Sequence, residues 1–175
     1  MSDQLIVEAA TGARQLTTSE LGQVLEHVAR AGFDPNALER VRGWLAGVSW
    51  RGMTLRGRDR LPPAEVKYLW HVVSGQEWPL NTSLQDYFDS IRRVILDPRS
   101  GVFIGRYQGA WQLGVVRDAD DLRGPGGSEW VLVEYRLVLG HWVTALQPRV
   151  SRDAELRNPR RDSIRWLRHQ QLWRE

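Results

Sequence analysis

The chain reads as an α+β protein, with N-terminal helices packed on a four-stranded antiparallel sheet and a C-terminal helix. Three observations predict this. Apolar residues recur at helical spacing through the first half of the chain. The period then drops to two between residues 102 and 147. The connections between those two-period segments are short, which favours an antiparallel meander over parallel crossovers. A length of 175 residues fits one domain. Within it, 1–60 reads as a helical N-terminal extension, 61–148 as an α+β core, and 149–175 as an Arg-rich helix.

The elements follow in order. The first dozen residues read as an extended arm. Thr17-Thr18-Ser19-Glu20 is a capping box, and Leu21, Val24, Leu25 and Val28 follow at helical spacing. Asp34-Pro35 starts a second helix, with Leu38, Val41, Leu45 and Val48 as its stripe. Residues 49–61 are polar and glycine-containing, and predict a loop or short strand. Pro62-Pro63 opens a third helix, whose apolar face is Val66, Leu69, Trp70 and Val73; Ser74-Gly75 ends it. Ser83 caps a fourth, with Leu84, Tyr87, Phe88, Ile91, Val94 and Ile95 inward, and Asp97-Pro98 stops it.

Residues 102–107 and 110–117 read as a hairpin about Gln108-Gly109. Residues 118–128 form a polar, glycine-rich loop, and 129–139 and 141–147 are two more strands around Gly140. Alternation puts Val131, Val133, Tyr135 and Leu137 on a core face, and Glu134 and Arg136 on a more open face with Trp130 and Leu132. In the last strand it groups Trp142, Thr144 and Leu146. A final helix over about 161–173 would carry Arg161, Arg165 and Arg168 on one stripe.

Composition narrows the chemistry. The absence of cysteine excludes disulfides and thiolate catalysis, and no histidine spacing matches a metal site, so no metal or cofactor is expected. No apolar run reaches the length of a membrane span, and the N-terminus lacks a secretory pattern, so a cytoplasmic address is expected. All but one of the 24 basic residues are arginine, which makes Lys67 conspicuous. The formal charge is only +3, but residues 148–175 hold eight arginines against four acids. That tail is either a footprint for phosphate or a solvated face.

Several constellations could carry chemistry. Lys67 and His71 lie four apart and share a helix flank, where histidine can move a proton and an ammonium can meet phosphate. The alternative is an ordinary helix flank. Glu134 and Arg136, with Arg106 and Arg117 ending the hairpin strands, could line a substrate face or simply pair across strands. The loop Arg123-Gly124-Pro125-Gly126-Gly127 lacks the phosphate-cradling P-loop pattern. Most of the nine tryptophans should pack, with Trp142 beside Thr144 a candidate to stack a base.

The order of elements around Lys67-Tyr68-Leu69-Trp70-His71, the Ser83-led helix ending in Asp97-Pro98, the hairpin, and Gly140-His141-Trp142-Val143-Thr144-Ala145 resembles a nuclease superfamily. That superfamily contains barnase, the EndoU nucleases, the colicin D and E5 tRNases and the RelE toxins. The similarity covers residues 61–148 and is closest to prophage and polymorphic-toxin members. The resemblance implies metal-independent cleavage of RNA, such as tRNA or rRNA, to a 2′,3′-cyclic phosphate. It also implies an immunity or antitoxin protein as partner. Carried over residue by residue, it implies His71 as base or acid and Lys67 as its basic companion. Arg106 or Arg136 would be the strand cation, and Thr144 the hydroxyl. Arg161, Arg165 and Arg168 lie outside the resemblance; read from their charge, they would contact the nucleic acid, with Trp142 stacking a base. The competing expectation is a non-catalytic module that binds nucleic acid or protein through the sheet face and the Arg-rich helix.

Overall fold

A computed structural model describes residues 3–12, 14–31 and 63–169. The helix expected at Asp34-Pro35, its stripe and the 49–61 loop lie outside the described residues. Helix α1 (Asp3–Thr11) replaces the expected arm. Helix α2 (Thr18–Arg30) starts where the capping box places it: the Thr17 hydroxyl accepts from Glu20 N, and Thr17 N donates to the Glu20 carboxylate. Helix α3 (Pro63–Tyr68) runs straight into a π-helical stretch, Leu69–Ser74. Helix α4 (Leu84–Leu96) carries a second capping box, Ser83 with Asp86, and buries all six residues expected to face inward.

The sheet has five strands, not four. They are β1 (Gly101–Tyr107), β2 (Ala110–Asp118), β3 (Trp130–Arg136), β4 (His141–Leu146) and β5 (Arg161–Arg168). Their order is β4-β3-β2-β1-β5, with every pair antiparallel. The β1–β2 hairpin turns at Gln108 and Gly109, both at positive φ (51 and 81), the geometry that matches strand twist. A short helix α5 (Arg152–Leu156) bridges β4 to β5.

The C-terminal helix is therefore corrected to an edge strand. Residues 161–168 contain Ile164, Trp166 and Arg168 in alternation with Arg165 and Leu167, a two-residue period hidden among charges. Charged side chains suit an edge strand, because they discourage pairing with other chains.

Helices α1, α2 and α4 and the π-helical stretch cover one face of the sheet. Their buried residues form one cluster with Val102, Ile104, Leu113, Val115, Val131, Val133, Tyr135 and Leu137. Polar groups in this layer are paired: Tyr87 donates to Ala145 O (2.7 Å), Trp78 Nε1 to Ser90 Oγ (2.9 Å) and Trp142 Nε1 to Val28 O (2.9 Å). Residues 18–30 thus share the core of residues 84–146. On the opposite face, Phe103, Val116, Trp130 and Leu132 form a smaller cluster with Leu156, Ile164 and Trp166. No helix among the described residues is long and apolar enough to cross a membrane.

Candidate functional site

The sequence-predicted residues do not converge: His71 and Lys67 lie in the helical layer, and Arg136, Thr144 and Arg161 on the opposite face of the sheet. His71 belongs to the helical layer. After Tyr68 the helix widens, so that Gly75 N donates to Trp70 O (2.8 Å) and Glu77 N to His71 O (2.9 Å). Such π segments recur at functional positions. The widening also changes which side chains face inward. Leu69 and Val72 are buried, whereas Trp70 and Val73, expected on the apolar face, are 43% and 40% exposed.

Gln76, at φ 51, turns the chain back over the helix end. Glu77 thereby returns to His71, and its Oε1 meets His71 Nδ1 at 2.8 Å. Its other oxygen, Oε2, accepts from the backbone N of Gln147 at 2.8 Å, just past β4. A carboxylate only accepts, so Nδ1 carries a proton, and in the neutral ring the lone pair is on Nε2. The two side chains are only 17% and 14% exposed. Lys67 lies one turn earlier and is half-buried.

The glycine-rich loop braces this joint. Gly124 N donates to Glu77 O (2.7 Å) and Gly126 N to Gln76 O (2.9 Å). A Cβ on Gly124 would stand 1.9 Å from Trp78 O, and one on Gly126 2.1 Å from Gly75 O. Only glycine allows backbones so close. Gln147 completes the joint: its side chain accepts from Ser128 N (3.0 Å) and donates to Leu122 O (2.7 Å). Glu77 and Gln147 were not singled out in the sequence. An acid two residues past a helix-ending glycine, and six past a histidine, was the available signal.

The second group sits on the outer face. Strand register aligns Phe103, Gly114, Glu134 and Thr144 in one row, and Gly105, Gln112 and Arg136 in the next. The Glu134 face is not open: Glu134 is 5% exposed, and its carboxylate takes a short hydrogen bond from Arg161 Nη1. Arg161 Nη2 also binds Glu155 at 2.8 Å, and the guanidinium lies 4.9 Å from the Tyr107 ring centre. Burial works against the Arg161 charge, yet the two carboxylates hold its pKa above the usual arginine value. Four buried atoms nearby make no hydrogen bond: both amide atoms of Gln112, Arg136 Nε and Thr144 Oγ1.

A β-bulge separates Thr144 from Trp142. Glu134 faces Thr144, but Tyr135 faces Trp142, so Val143 is the extra residue. Trp142 and Thr144 therefore lie on opposite faces, not the same one. Trp142 is buried against Phe88, with ring centres 5.7 Å apart, and presents no ring for a base to stack on.

Arg106 and Arg136 are near the far end of the sheet from His71. Gln147 follows the Leu146–Leu132–Val116–Gly101 end, whereas Arg106 and Arg136 lie near the β1–β2 turn, about 17 Å away along the strands. Arg106 is bound to Asp162 (2.6 Å). The three tail arginines do not form a solvent-facing helix stripe. Arg161 is in the buried cluster, Arg165 donates to Ala10 O and Gly12 O (2.8 and 2.9 Å), and Arg168 donates to Ser100 O and Asp97 O (2.8 and 3.0 Å). They stitch β5 to α1 and to the end of α4. Lys67 and His71 are thus together, and Arg136, Thr144 and Arg161 are together elsewhere. Among the described residues no group of three or more histidine or acidic side chains is placed to hold a metal ion. No protein-family model, curated protein or solved structure matches the chain.

Proposed function

We propose that the chain is a metal-independent endoribonuclease of toxin type, with His71 as its proton-transfer group and Glu77 as the residue that positions it. One observation carries this reading: a half-hidden imidazole whose Nδ1 is fixed by a carboxylate that is itself fixed by a backbone amide. A general base needs an oriented ring and a free lone pair, and this arrangement supplies both. His71 Nε2 would take the proton of an RNA 2′-hydroxyl. The 2′-oxygen would bond to phosphorus, the bond to the 5′-oxygen would break, and that oxygen would take a proton from water. The products would be a 2′,3′-cyclic phosphate and a 5′-hydroxyl. In this reading Thr144, Arg106 and Arg136 are not part of the reacting centre, which departs from the family pattern.

The test is incubation of purified protein with total tRNA and rRNA in EDTA, reading cyclic-phosphate ends. His71→Ala is expected to lower the cleavage rate by about 10²–10⁴-fold while the protein stays folded. Glu77→Gln should lower kcat more than it raises KM, since a positioning residue acts on the ring and not on the substrate. Cleavage untouched by His71→Ala, or no cleavage by the wild type, would overturn the assignment. A toxin-type role further predicts growth arrest on expression, relieved by a partner encoded nearby.

A further inference from the structure

A groove of about 530 Å³ opens between the glycine-rich loop and the segment after β4. Its walls include Arg123, Ser128, Glu129, Trp130, Arg149 and Ser151. It lies at the same end of the sheet as His71, because its lining runs through the loop that Gln76 and Glu77 bind and through the residues just past Gln147. The walls are fixed: Ser128 N is held by Gln147, and Trp130 Nε1 donates to Val150 O at 3.0 Å.

The arginines divide at this end of the molecule. Arg93, Arg99, Arg117 and Arg152 each hold an aspartate, which occupies Asp97, Asp118, Asp120 and Asp121. The side chains of Arg123 and Arg149 are exposed and make no hydrogen bond or ion pair among the described residues. Two guanidinium groups left without carboxylates, on either side of one rigid groove, form a site for anions. Glu129 reduces the net charge and disfavours a compact, highly charged anion. Singly charged phosphodiesters strung along a flexible strand suit the site better.

We infer that this groove binds the phosphate backbone of single-stranded RNA, with Arg123 and Arg149 each contacting a phosphate. The inference rests on the ribonuclease reading for its biological sense, and supplies the phosphate-binding cations that Arg106 and Arg136 are too distant to provide. A labelled 2′-O-methyl oligouridine, which offers no 2′-hydroxyl to attack, is titrated with protein at several salt concentrations. The R123A/R149A variant should bind at least tenfold more weakly at low salt. The slope of log affinity against log salt should fall by about 1.4, the expectation for two lost contacts on a single strand. The control is R157A/R160A, an equal charge change at exposed arginines that also have no ion pair. It should bind as the wild type does.

Equal losses in both variants, no loss in either, or no binding by the wild type would each overturn the groove. So would polyglutamate competing as well as RNA, because the site would then fit an acidic protein. Cleavage of unmodified RNA separates the two proposals. If R123A/R149A alone loses binding but the wild type never cuts, the groove stands and the ribonuclease reading falls. If the wild type cuts and R123A/R149A binds and cuts normally, the groove alone falls.

Discussion

The two faces of the sheet are buried by different physics. The inner face packs aliphatic and aromatic side chains against α2 and α4, and Tyr87 and Trp142 there each donate to a backbone carbonyl. The outer face buries charge, in the Glu134–Arg161–Glu155 cluster, and leaves Gln112, Arg136 and Thr144 with unpaired polar atoms. Apolar burial is non-directional and tolerates imperfect geometry. A buried ion pair compensates its desolvation only while all its partners remain. The inner face therefore defines the core, and the outer face depends on a small number of side chains from the C-terminal segment.

That contrast can be broken most strongly at Arg161. Arg161→Met would leave Glu134 charged and buried, at a cost of about 3–5 kcal/mol in urea denaturation. Adding Glu134→Leu should recover most of that loss, because two apolar groups replace the pair. A double variant no better than the single one would show that the arginine matters for its shape and not its charge. A smaller effect is expected at the rim, where Asp97 joins the end of α4 to Arg99 and Arg117. The Arg99 hydrogen bond, aided by Arg117, holds the Asp97 carboxyl at about 2, against the opposing effect of burial. A depressed pKa contributes stability that is complete above the unfolded value and lost as pH falls from about 4 to about 2. Denaturation between pH 5 and pH 2 should show a loss on the order of 1–2 kcal/mol from this group, absent in Asp97→Asn. The smallest effect is expected at Thr144. Its hydroxyl has no partner, so Thr144→Val should change stability by less than about 1 kcal/mol, in the stabilising direction. It should also leave RNA cleavage unchanged; a large loss of cleavage would return Thr144 to the reacting centre.

The parts of this fold legible in the sequence were those set by local rules. Capping chemistry placed the starts of α2 and α4, a two-residue turn placed the first hairpin, and alternation placed Val131, Val133, Tyr135 and Leu137 in the core. What failed depended on partners distant in sequence. Residues 161–168 became a strand because β1 offered a free edge, which overrode a weak helical stripe. The π-helical winding that exposes Trp70 leaves no mark in a 3.6-residue pattern. His71 was visible as a candidate proton carrier, but its carboxylate partner was not, since Gln76 and the loop at Gly124 bring Glu77 back to it.

The extra residue in β4 has a consequence for how this strand can change. Val143 acts as a parity switch. Before it, odd and even positions map to one pair of faces, and after it the mapping is exchanged. Insertions and deletions on either side are then tolerated only in pairs, whereas Val143, which has no partner on β3, is the one position whose single loss keeps the faces as they are. Its deletion would restore strict alternation with Trp142 still inward and Thr144 still outward, each facing the β3 residue it faces now. A one-residue change between Thr144 and Gln147, by contrast, would exchange the faces of all that follows and move the backbone amide that donates to Glu77.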